Sequence, residues 1–244
     1  MSTTITARIF RFDPDKDKEP YFDEFEIPLM KNMAILDVAF YIQNYVDQTL
    51  AFRCSCRIGM CGSCGMYING KTRLACRTQV TSLESDIVTM MPIPNLPIIR
   101  DLAVDMEPFF AKYKAIKPYY MPKKSITEPV IVDPESKERG LIDEMLECIT
   151  CGACYGACTM VSTNKDYLGP AALNRAYCLV ADNRDSGGKE RLKLVDNSNG
   201  IWRCHSQFNC TEVCPKNIVP THSIQELKKR CVFKLFGKNK EDNL

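Results

Sequence analysis

Cysteine is the residue type whose number and spacing in this sequence indicate chemistry. The chain has 14 cysteines but only two histidines among its 244 residues, so a metal centre would be built almost wholly from thiolates. Thiolates are soft ligands that select zinc, copper(I) or iron–sulfur clusters. Structural disulfides are disfavoured under reducing conditions. The spacing of the cysteines must therefore decide which centre they form.

The first constellation reads C-x4-C-x2-C and is followed, after eleven residues, by a fourth cysteine. Its members are Cys56, Cys61, Cys64 and Cys76. This is the plant-type spacing of a [2Fe–2S] cluster. Gly59, Gly62 and Gly65 permit unusual backbone dihedrals that bring N–H groups toward sulfur. Zinc is the alternative, although structural zinc sites favour two separated short ligand pairs.

A second constellation occurs twice, the second time imperfectly. Residues 148–158 read C-x2-C-x2-C-x3-C, whereas residues 204–215 read C-x2-Q-x2-C-x3-C-P, with Gln207 at the position of Cys151. In two-cluster bacterial ferredoxins the fourth cysteine of each run binds the other cluster. This crossing gives one complete set of four thiolates and one set that lacks its fourth. The complete set is Cys148, Cys151, Cys154 and Cys214. The incomplete set is Cys158, Cys204 and Cys210.

We predict [4Fe–4S] for the complete set and [3Fe–4S] for the incomplete set, because a missing thiolate suits a cuboidal cluster that lacks one iron. A four-iron cluster with Gln207 or solvent on the fourth iron is the competing interpretation. A pair of zinc sites is the alternative for the whole region. Cys54, Cys178 and Cys231 lie outside both sets. Cys178 and Cys231 are predicted to be core thiols, and Cys54 to be a small, partly buried thiol.

The elements around the first constellation are predicted to form a small mixed sheet. β-Branched and aromatic residues predict strands over 5–12 and 21–27, and helical spacing predicts a helix over 33–46. Asn69-Gly70 between two short runs predicts a hairpin. Residues 87–91 predict one more strand, after which prolines are expected to end regular structure.

From residue 106 onward the sequence predicts helices and loops. Phe109 and Tyr113 fit one short helix, and a proline-containing connector follows it. Pro170 and Pro220 are each predicted to begin a later helix. The expected class is therefore α+β, with domains at 1–105 and 106–244. The second domain has little ordinary core and would depend on its inorganic contents for stability.

Composition excludes several classes of function. Lys plus Arg total 32 and Asp plus Glu total 30, which removes the electrostatic argument for a general nucleic-acid binder. Dinucleotide, P-loop and nucleophile-elbow motifs are missing from the sequence. No run is apolar enough for a bilayer span, and the N-terminus lacks the apolar core of a signal peptide, so we expect a cytoplasmic protein. Three clusters in a sequence without a catalytic motif of its own would form a relay for single electrons. Such a relay needs one partner that donates electrons and another that accepts them.

These motifs closely resemble the iron–sulfur subunit of the succinate:quinone oxidoreductase family, which comprises succinate dehydrogenase and fumarate reductase. The resemblance runs over nearly the whole chain. The segments that carry it are C-R-x-G-x-C-G-S-C-G-M at 56–66, L-A-C-R-T at 74–78, R-D-L-x-V-D at 100–105, C-I-T-C-G-A-C at 148–154, G-P-A-A-L at 169–173 and C-x5-C-x3-C-P-K at 204–216.

The resemblance implies a plant-type-ferredoxin-like β-grasp domain that holds [2Fe–2S], followed by an all-helical, bacterial-ferredoxin-like domain that holds [4Fe–4S] and [3Fe–4S]. It implies that a separate FAD flavoprotein performs the dicarboxylate chemistry, so no residue of this chain is catalytic. Electrons would pass through the clusters in that order to a quinone near a membrane-anchor subunit of cytochrome b type with haem. Cys158, Cys204 and Cys210 would face the membrane, with His205 beside the quinone or haem.

The implied location is peripheral, on the cytoplasmic face of the inner (cytoplasmic) membrane. The basic and aromatic tail over 227–240 fits either attachment to anionic lipid or a solvated helix end. Three other functions remain as alternatives: the same module serving another flavin-dependent enzyme, a free ferredoxin, and a zinc-stapled interaction protein.

Overall fold

A computed structural model describes residues 4–123 and 132–235 of the protein. Its contacts divide the chain into two units. Unit 1 comprises Met1–Pro108 and Ile149–Ala157, and unit 2 comprises Phe109–Cys148 and Cys158–Leu244. Strands build unit 1 and helices build the described part of unit 2, so the predicted α+β class is confirmed.

A five-stranded mixed sheet forms the core of unit 1. Its strands are β1 (Thr4–Arg11), β2 (Tyr21–Pro28), β3 (Gly65–Ile68), β4 (Lys71–Leu74) and β5 (Ile87–Met91), in the spatial order β2-β1-β5-β3-β4. β1 and β5 run parallel, and the other neighbours are antiparallel. The predicted strands and hairpin are confirmed. Asn69 and Gly70 have φ angles of 42° and 83°, as a type I′ turn requires.

The predicted helix in unit 1 has two parts. α1 (Ile35–Tyr41) continues into a π-helical turn, Ile42–Val46. Its apolar face is buried in the same core as the inward side chains of β1 and β5. The Asp37 carboxylate accepts the N–H of Ala34 at 2.8 Å and so satisfies a backbone donor at the start of the helix. The helix is therefore fixed at its N-terminal end.

A small second hairpin corrects one prediction. β6 (Ile98–Arg100) and β7 (Ala103–Val104) pair in the stretch where prolines were expected to end regular structure. The prolines do end β5, but the chain pairs again seven residues later. A 3-10 turn, Val80–Leu83, lies between β4 and β5.

A buried charge network ties β1 to the loop that leads into the first constellation. Arg11 Nε lies 3.1 Å from Asp101 Oδ1, and both side chains are almost completely buried. The Asp101 carboxylate also accepts the N–H of Ala51 at 2.9 Å. Arg11 further binds Asp47, and this hydrogen bond lowers the pKa of the Asp47 carboxyl to about 2. The network therefore holds the loop at Asp47 and Ala51.

Unit 2 is built around two helices that the sequence analysis predicted from their prolines. The helices of the chain beyond β7 are α2 (Glu107–Ala115), α3 (Lys137–Gly140), α4 (Asp143–Leu146), α5 (Ala153–Gly156), α6 (Thr159–Thr163), α7 (Pro170–Ala181), α8 (Gly188–Val195), α9 (Asn209–Glu212) and α10 (Pro220–Leu235). Of these, α5 lies in unit 1. α7 and α10 pack together through buried apolar side chains, including Leu173 and Leu227. At their contact, Ser223 Oγ donates to Asn174 Oδ1 at 2.8 Å.

A fully buried ion pair fixes the described part of the connector. Arg191 and Asp185 pair with no side-chain exposure. Arg191 Nε donates to the carbonyl of Lys117 at 3.0 Å, and Asp185 Oδ2 accepts the N–H of Met121 at 2.9 Å. The pair therefore holds the chain after α2 against the start of α8. The rest of the predicted connector, 124–131, lies outside the described residues.

Two further sequence predictions concern single residues and the tail. Cys178 and Cys231 are each 1% exposed, which confirms them as core thiols, and Cys54 is half-buried. The tail beyond residue 235 lies outside the described residues.

Among the helices that the structure describes, none has both the length and the apolarity needed to cross a bilayer.

Candidate metal centres

The β3–β4 hairpin brings the two ends of the first constellation together. Cys64 directly precedes β3 and Cys76 follows β4, and the N–H of Ala75 donates to the carbonyl of Cys64 at 3.0 Å. Cys56 and Cys61 lie in the preceding loop, where Cys61 is exposed. The structure thus collects the four predicted [2Fe–2S] ligands at one end of the hairpin.

Backbone N–H groups in this loop point at sulfur. The N–H groups of Met60 and Cys61 both lie 3.3 Å from Cys56 Sγ, and that of Ser63 lies 3.5 Å from Cys61 Sγ. Consecutive N–H groups in such a loop form an anion-binding nest. The loop is therefore built to stabilise negative charge on sulfur, as thiolate ligands and inorganic sulfide require.

The thiols of this site differ in their acidity. Hydrogen bonds from Ser63 and from backbone N–H groups lower the pKa of Cys61 to about 6. Burial raises the pKa of Cys64 to about 12. Cys61 is thus a thiolate at neutral pH, whereas Cys64 would lose its proton only when a metal binds.

The three glycines of the loop serve two purposes. Gly59 and Gly62 have φ angles of 78° and 73°, as the sequence analysis expected. Gly65 has an ordinary φ, but a Cβ there would lie 2.8 Å from Ile93 Cδ1. A Cβ on Gly59 would lie 2.8 Å from Cγ of Arg77, the residue after Cys76. The glycines therefore also permit close packing around the site.

The predicted [4Fe–4S] set has members in both units, and each half is ordered separately. In unit 1, Cys151 and Cys154 lie on the segment that contains α5. Thr72 Oγ1 donates to the carbonyl of Ala153 at 3.0 Å, and Asn95 Nδ2 donates to that of Gly156 at 3.0 Å. These bonds attach the segment to the same unit as the first constellation.

In unit 2, the residues next to Cys148 and Cys214 are held together. Lys216 Nζ lies 3.1 Å from a carboxylate oxygen of Glu147. Since Glu147 directly precedes Cys148 and Lys216 follows Cys214 by two residues, this ion pair keeps the two cysteine segments side by side.

The three cysteines of the incomplete set line one cavity in unit 2. Cys158 begins α6, Cys204 follows a 3-10 turn and Cys210 lies on α9, so three separate elements converge there. The remaining lining residues include Thr159, Met160, Tyr167, His205, Gln207 and Phe208. His205 is exposed at this cavity.

The sulfur atoms of this cavity are partly desolvated and have donors nearby. Burial raises the pKa of the Cys158 and Cys210 thiols. The N–H of Ser206 lies 3.5 Å from Cys204 Sγ, and Thr221 Oγ1 lies 3.4 Å from Cys210 Sγ. Buried thiols of this kind become ligands when bound iron displaces their protons.

Gln207 stands at the edge of this cavity, where the repeat would place a fourth cysteine. Its side-chain oxygen Oε1 accepts a hydrogen bond from the Thr159 hydroxyl. The oxygen is the atom of this amide that would bind iron. In this conformation it is already engaged by Thr159.

The Tyr167 hydroxyl provides a test of whether the cavity suits a cluster. Tyr167 is fully buried, and its oxygen makes no hydrogen bond of ordinary geometry among the described residues. Burial, the charges of Cys204, Cys158 and Cys210, and hydrogen bonding toward the Cys204 side chain raise the pKa of this hydroxyl. A sulfur-only ligand set beside the buried hydroxyl donor of Tyr167 fits an acceptor-rich iron–sulfur cluster.

Within the described residues, no three His, Cys, Asp or Glu side chains converge on a single metal ion.

Sequence analysis missed Tyr167 and Ser63 as members of these sites. Ser63 lies inside the quoted C-G-S-C run, so its position there was the available signal. Tyr167 is far in sequence from Cys204, and no spacing pattern joins them.

Comparison with known families gives one match for each cysteine constellation. Residues 6–111 match the family described as a 2Fe-2S iron-sulfur cluster binding domain. Residues 144–218 match the family described as a 4Fe-4S dicluster domain.

Curated relatives match almost the full length. The mitochondrial succinate dehydrogenase [ubiquinone] iron-sulfur subunit of Candida glabrata is 38% identical over 93% of this chain and 91% of its own length. The fumarate reductase iron-sulfur subunit of Haemophilus influenzae is 34% identical over 93% of each chain. A chain of the Mycobacterium smegmatis Sdh1 complex in the apo form superposes with a TM-score of 0.86, at 26% identity, over 98% of this chain and 100% of that chain.

Proposed function

Since this chain belongs to the iron–sulfur subunits of succinate dehydrogenase and fumarate reductase, we propose how its cysteines divide among three clusters. Subunits of this family transfer electrons through iron–sulfur clusters, and this chain does the same. The proposed sets are Cys56, Cys61, Cys64 and Cys76 for [2Fe–2S], Cys148, Cys151, Cys154 and Cys214 for [4Fe–4S], and Cys158, Cys204 and Cys210 for [3Fe–4S].

The single observation that carries the three-iron assignment is the cavity of unit 2. It is lined by three cysteines and by Gln207 at the position of a fourth. Because Gln207 stands in place of a fourth cysteine, only three thiolates are available at this cavity, which favours a three-iron cluster.

The domain folds belong to the same proposal. A plant-type-ferredoxin-like β-grasp domain over 1–105 is supported by the mixed sheet in which β1 and β5 run parallel. A bacterial-ferredoxin-like helical domain over 106–244 is supported by the repeated cysteine runs and by the match to the dicluster family.

The chain's own residues prepare these sites for electron transfer. Bound clusters would supply one-electron carriers. The thiolates would hold iron, and the N–H groups of Met60, Cys61 and Ser63 would stabilise negative charge at the first site. Burial of Cys64 and Cys210 would limit water around the clusters, which is one determinant of reduction potential.

The family assigns partners to both ends of the relay, and exposed apolar residues support this arrangement. Ile58 and Met60, beside Cys61, are 65% and 59% exposed, and we assign this surface to an FAD flavoprotein that performs the dicarboxylate chemistry. Phe208 is exposed next to the unit 2 cavity. We assign that side, including His205, to a membrane anchor of cytochrome b type with quinone and haem, at the cytoplasmic face of the inner (cytoplasmic) membrane.

Low-temperature EPR of anaerobically purified protein tests this proposal, together with iron, sulfide and zinc counts. We expect an oxidised three-iron signal that disappears on reduction with dithionite while a two-iron signal appears. An oxidised sample without the three-iron signal, with iron matching two four-iron clusters, would overturn the three-iron assignment. Stoichiometric zinc without sulfide would overturn the relay.

A further inference from the structure

Tyr167 is a buried donor at the incomplete cluster site that the electron relay described above does not use. Its ring lines the cavity with Cys158, Cys204 and Cys210, and its side chain is fully buried. Its hydroxyl oxygen is also buried, makes no hydrogen bond of ordinary geometry among the described residues, and interacts with the Cys204 thiol. Buried hydroxyls are almost always satisfied in folded proteins because an unmade hydrogen bond costs free energy. The position therefore calls for an acceptor within the cavity.

Hydrogen bonds order the loop that carries Tyr167. The N–H of Tyr167 donates to the carbonyl of Asn164, and Asn164 Nδ2 donates to Asn199 Oδ1 at 2.9 Å. The N–H of the next residue, Leu168, donates to the carbonyl of Asn199 at 2.8 Å. Since α7 begins directly after this loop, the ring is held at a fixed place before anything binds.

Three cysteine sulfur atoms line the cavity with Tyr167. All three act electrostatically on the hydroxyl, and Cys204 acts most strongly among them. Cys204 is also the cysteine whose side chain the hydroxyl hydrogen-bonds toward. These interactions point to a sulfur atom at Cys204 as the acceptor for Tyr167.

We propose that the Tyr167 hydroxyl donates a hydrogen bond to a sulfur atom at the Cys204 corner of the [3Fe–4S] cluster and so raises the reduction potential of that cluster. This inference rests on the proposed function, because it requires the three cysteines to hold a cluster. A hydrogen bond to sulfur stabilises the extra negative charge of the reduced state, and such bonds are one determinant of iron–sulfur potentials. Tyr167 is thus a positioning and tuning residue for the last carrier of the chain.

The test is a redox titration of the Tyr167→Phe variant in the intact complex. The EPR signal of the oxidised three-iron cluster, measured at each potential, gives the midpoint potential of the cluster. We expect the signal to persist and its midpoint potential to fall. Tyr177→Phe is the matched control, because it removes a buried hydroxyl from α7 in the same unit, away from the cavity cysteines. That variant should keep the potential of the unchanged protein. An unchanged potential in Tyr167→Phe with an intact signal overturns the inference.

Proton spectroscopy gives a second readout. We expect electron–nuclear double resonance of the oxidised cluster to show a coupled proton that exchanges in D2O and is missing from Tyr167→Phe. If that variant does not assemble the cluster, site-specific replacement of Tyr167 by 3-fluorotyrosine keeps the ring and makes the hydroxyl a stronger donor. A raised potential then supports the hydrogen bond, and an unchanged one overturns it. The unchanged protein without a three-iron signal would instead refute the proposed function.

Discussion

Gly62, in the loop of the first cysteine constellation, lies directly against Cys151 of the second. A Cβ built on Gly62 would lie 2.7 Å from Cβ of Cys151 and 2.8 Å from its Cα. The two residues are separated by nearly ninety positions in sequence. The missing side chain thus allows a proposed ligand segment of one cluster to contact the ligand loop of another within unit 1.

We expect Gly62→Ala to displace the Cys151 segment and to lower the content of the proposed [4Fe–4S] cluster. The new methyl group overlaps Cys151, and overpacking of this kind costs about 1–3 kcal/mol. Iron and sulfide counts, together with the EPR spectrum of the reduced protein, measure the loss.

Gly70→Ala separates this effect from backbone strain. Gly70 has a φ of 83°, similar to the 73° of Gly62, but a Cβ there would meet nothing within 4 Å. Both variants therefore carry the left-handed strain of about 1–2 kcal/mol, and only Gly62→Ala carries the overlap. Equal iron contents in the two variants would contradict the packing argument.

Gln207→Cys should convert the incomplete site into one that binds four irons. The change completes the C-x2-C-x2-C-x3-C spacing with a thiolate where the amide stands. We expect the oxidised three-iron EPR signal to disappear and the iron content to rise by about one atom per chain. Gln207→Leu removes the amide without adding a ligand and should retain the three-iron signal. Its loss in the leucine variant would mean that the amide holds the cluster.

Asp185→Asn should strongly destabilise unit 2. The substitution leaves the Arg191 charge buried without its partner, a change that typically costs about 3–5 kcal/mol. For a chain of this size, such a loss lowers the apparent Tm by on the order of 10 °C. Thermal unfolding of the cluster-loaded protein, followed by circular dichroism, measures the shift.

Asp143→Asn is the matched control for this pair. Arg139 and Asp143 form an i,i+4 ion pair in unit 2 whose side chains are 36% and 61% exposed. Exposed pairs contribute about 0–1 kcal/mol, so the Tm should hardly move. Similar shifts in the two variants would show that burial of the Arg191 pair is not what stabilises the connector.

Cys178 should resist alkylation in the folded protein. Burial raises the pKa of this thiol from its ordinary value of 9.0 to about 12, so the reactive thiolate is about one part in ten thousand at pH 8. Cys54, which is half-buried and outside the proposed ligand sets, serves as the reactive comparison. Mass spectrometry after iodoacetamide treatment at pH 8 measures the extent of alkylation of Cys178 and of Cys54. Equal labelling of the two thiols would contradict the burial of Cys178.

The same raised pKa makes a prediction about alkaline stability. The folded state holds the Cys178 proton until about pH 12, whereas the unfolded thiol loses it near pH 9. The unfolded state therefore gains free energy by ionising as pH rises above 9, and folding stability falls there. Cys178→Ala removes this dependence, so the slope of stability against pH above 9 should be shallower in that variant.

Features set by local spacing were predictable from the sequence. A few adjacent residues are enough to determine the conformation of strand β1 and of the Asn69-Gly70 turn. Pro170 and Pro220 likewise mark where two helices begin. The β6–β7 hairpin was missed because its strands are only three and two residues long and follow a run of prolines.

Contacts between distant parts of the chain had no such signal. Tyr167 reaches the Cys204 cavity because the Asn164–Asn199 hydrogen bond fixes its loop, and the partners are far apart in sequence. The hydrogen bond from Thr72 to Ala153 joins residues 81 positions apart. Spacing patterns describe candidate ligands of one centre, but they do not describe the packing that surrounds them.

The membership of residues 149–157 in unit 1 affects how the protein can be made on the ribosome. Unit 1 is interrupted by 40 residues of unit 2, Phe109–Cys148, before its last segment emerges. Domains generally fold in order from the N-terminus during synthesis. Here the five-stranded sheet can form early, but the glycine-lined face around Gly62 stays uncovered until Ala157 has left the exit tunnel.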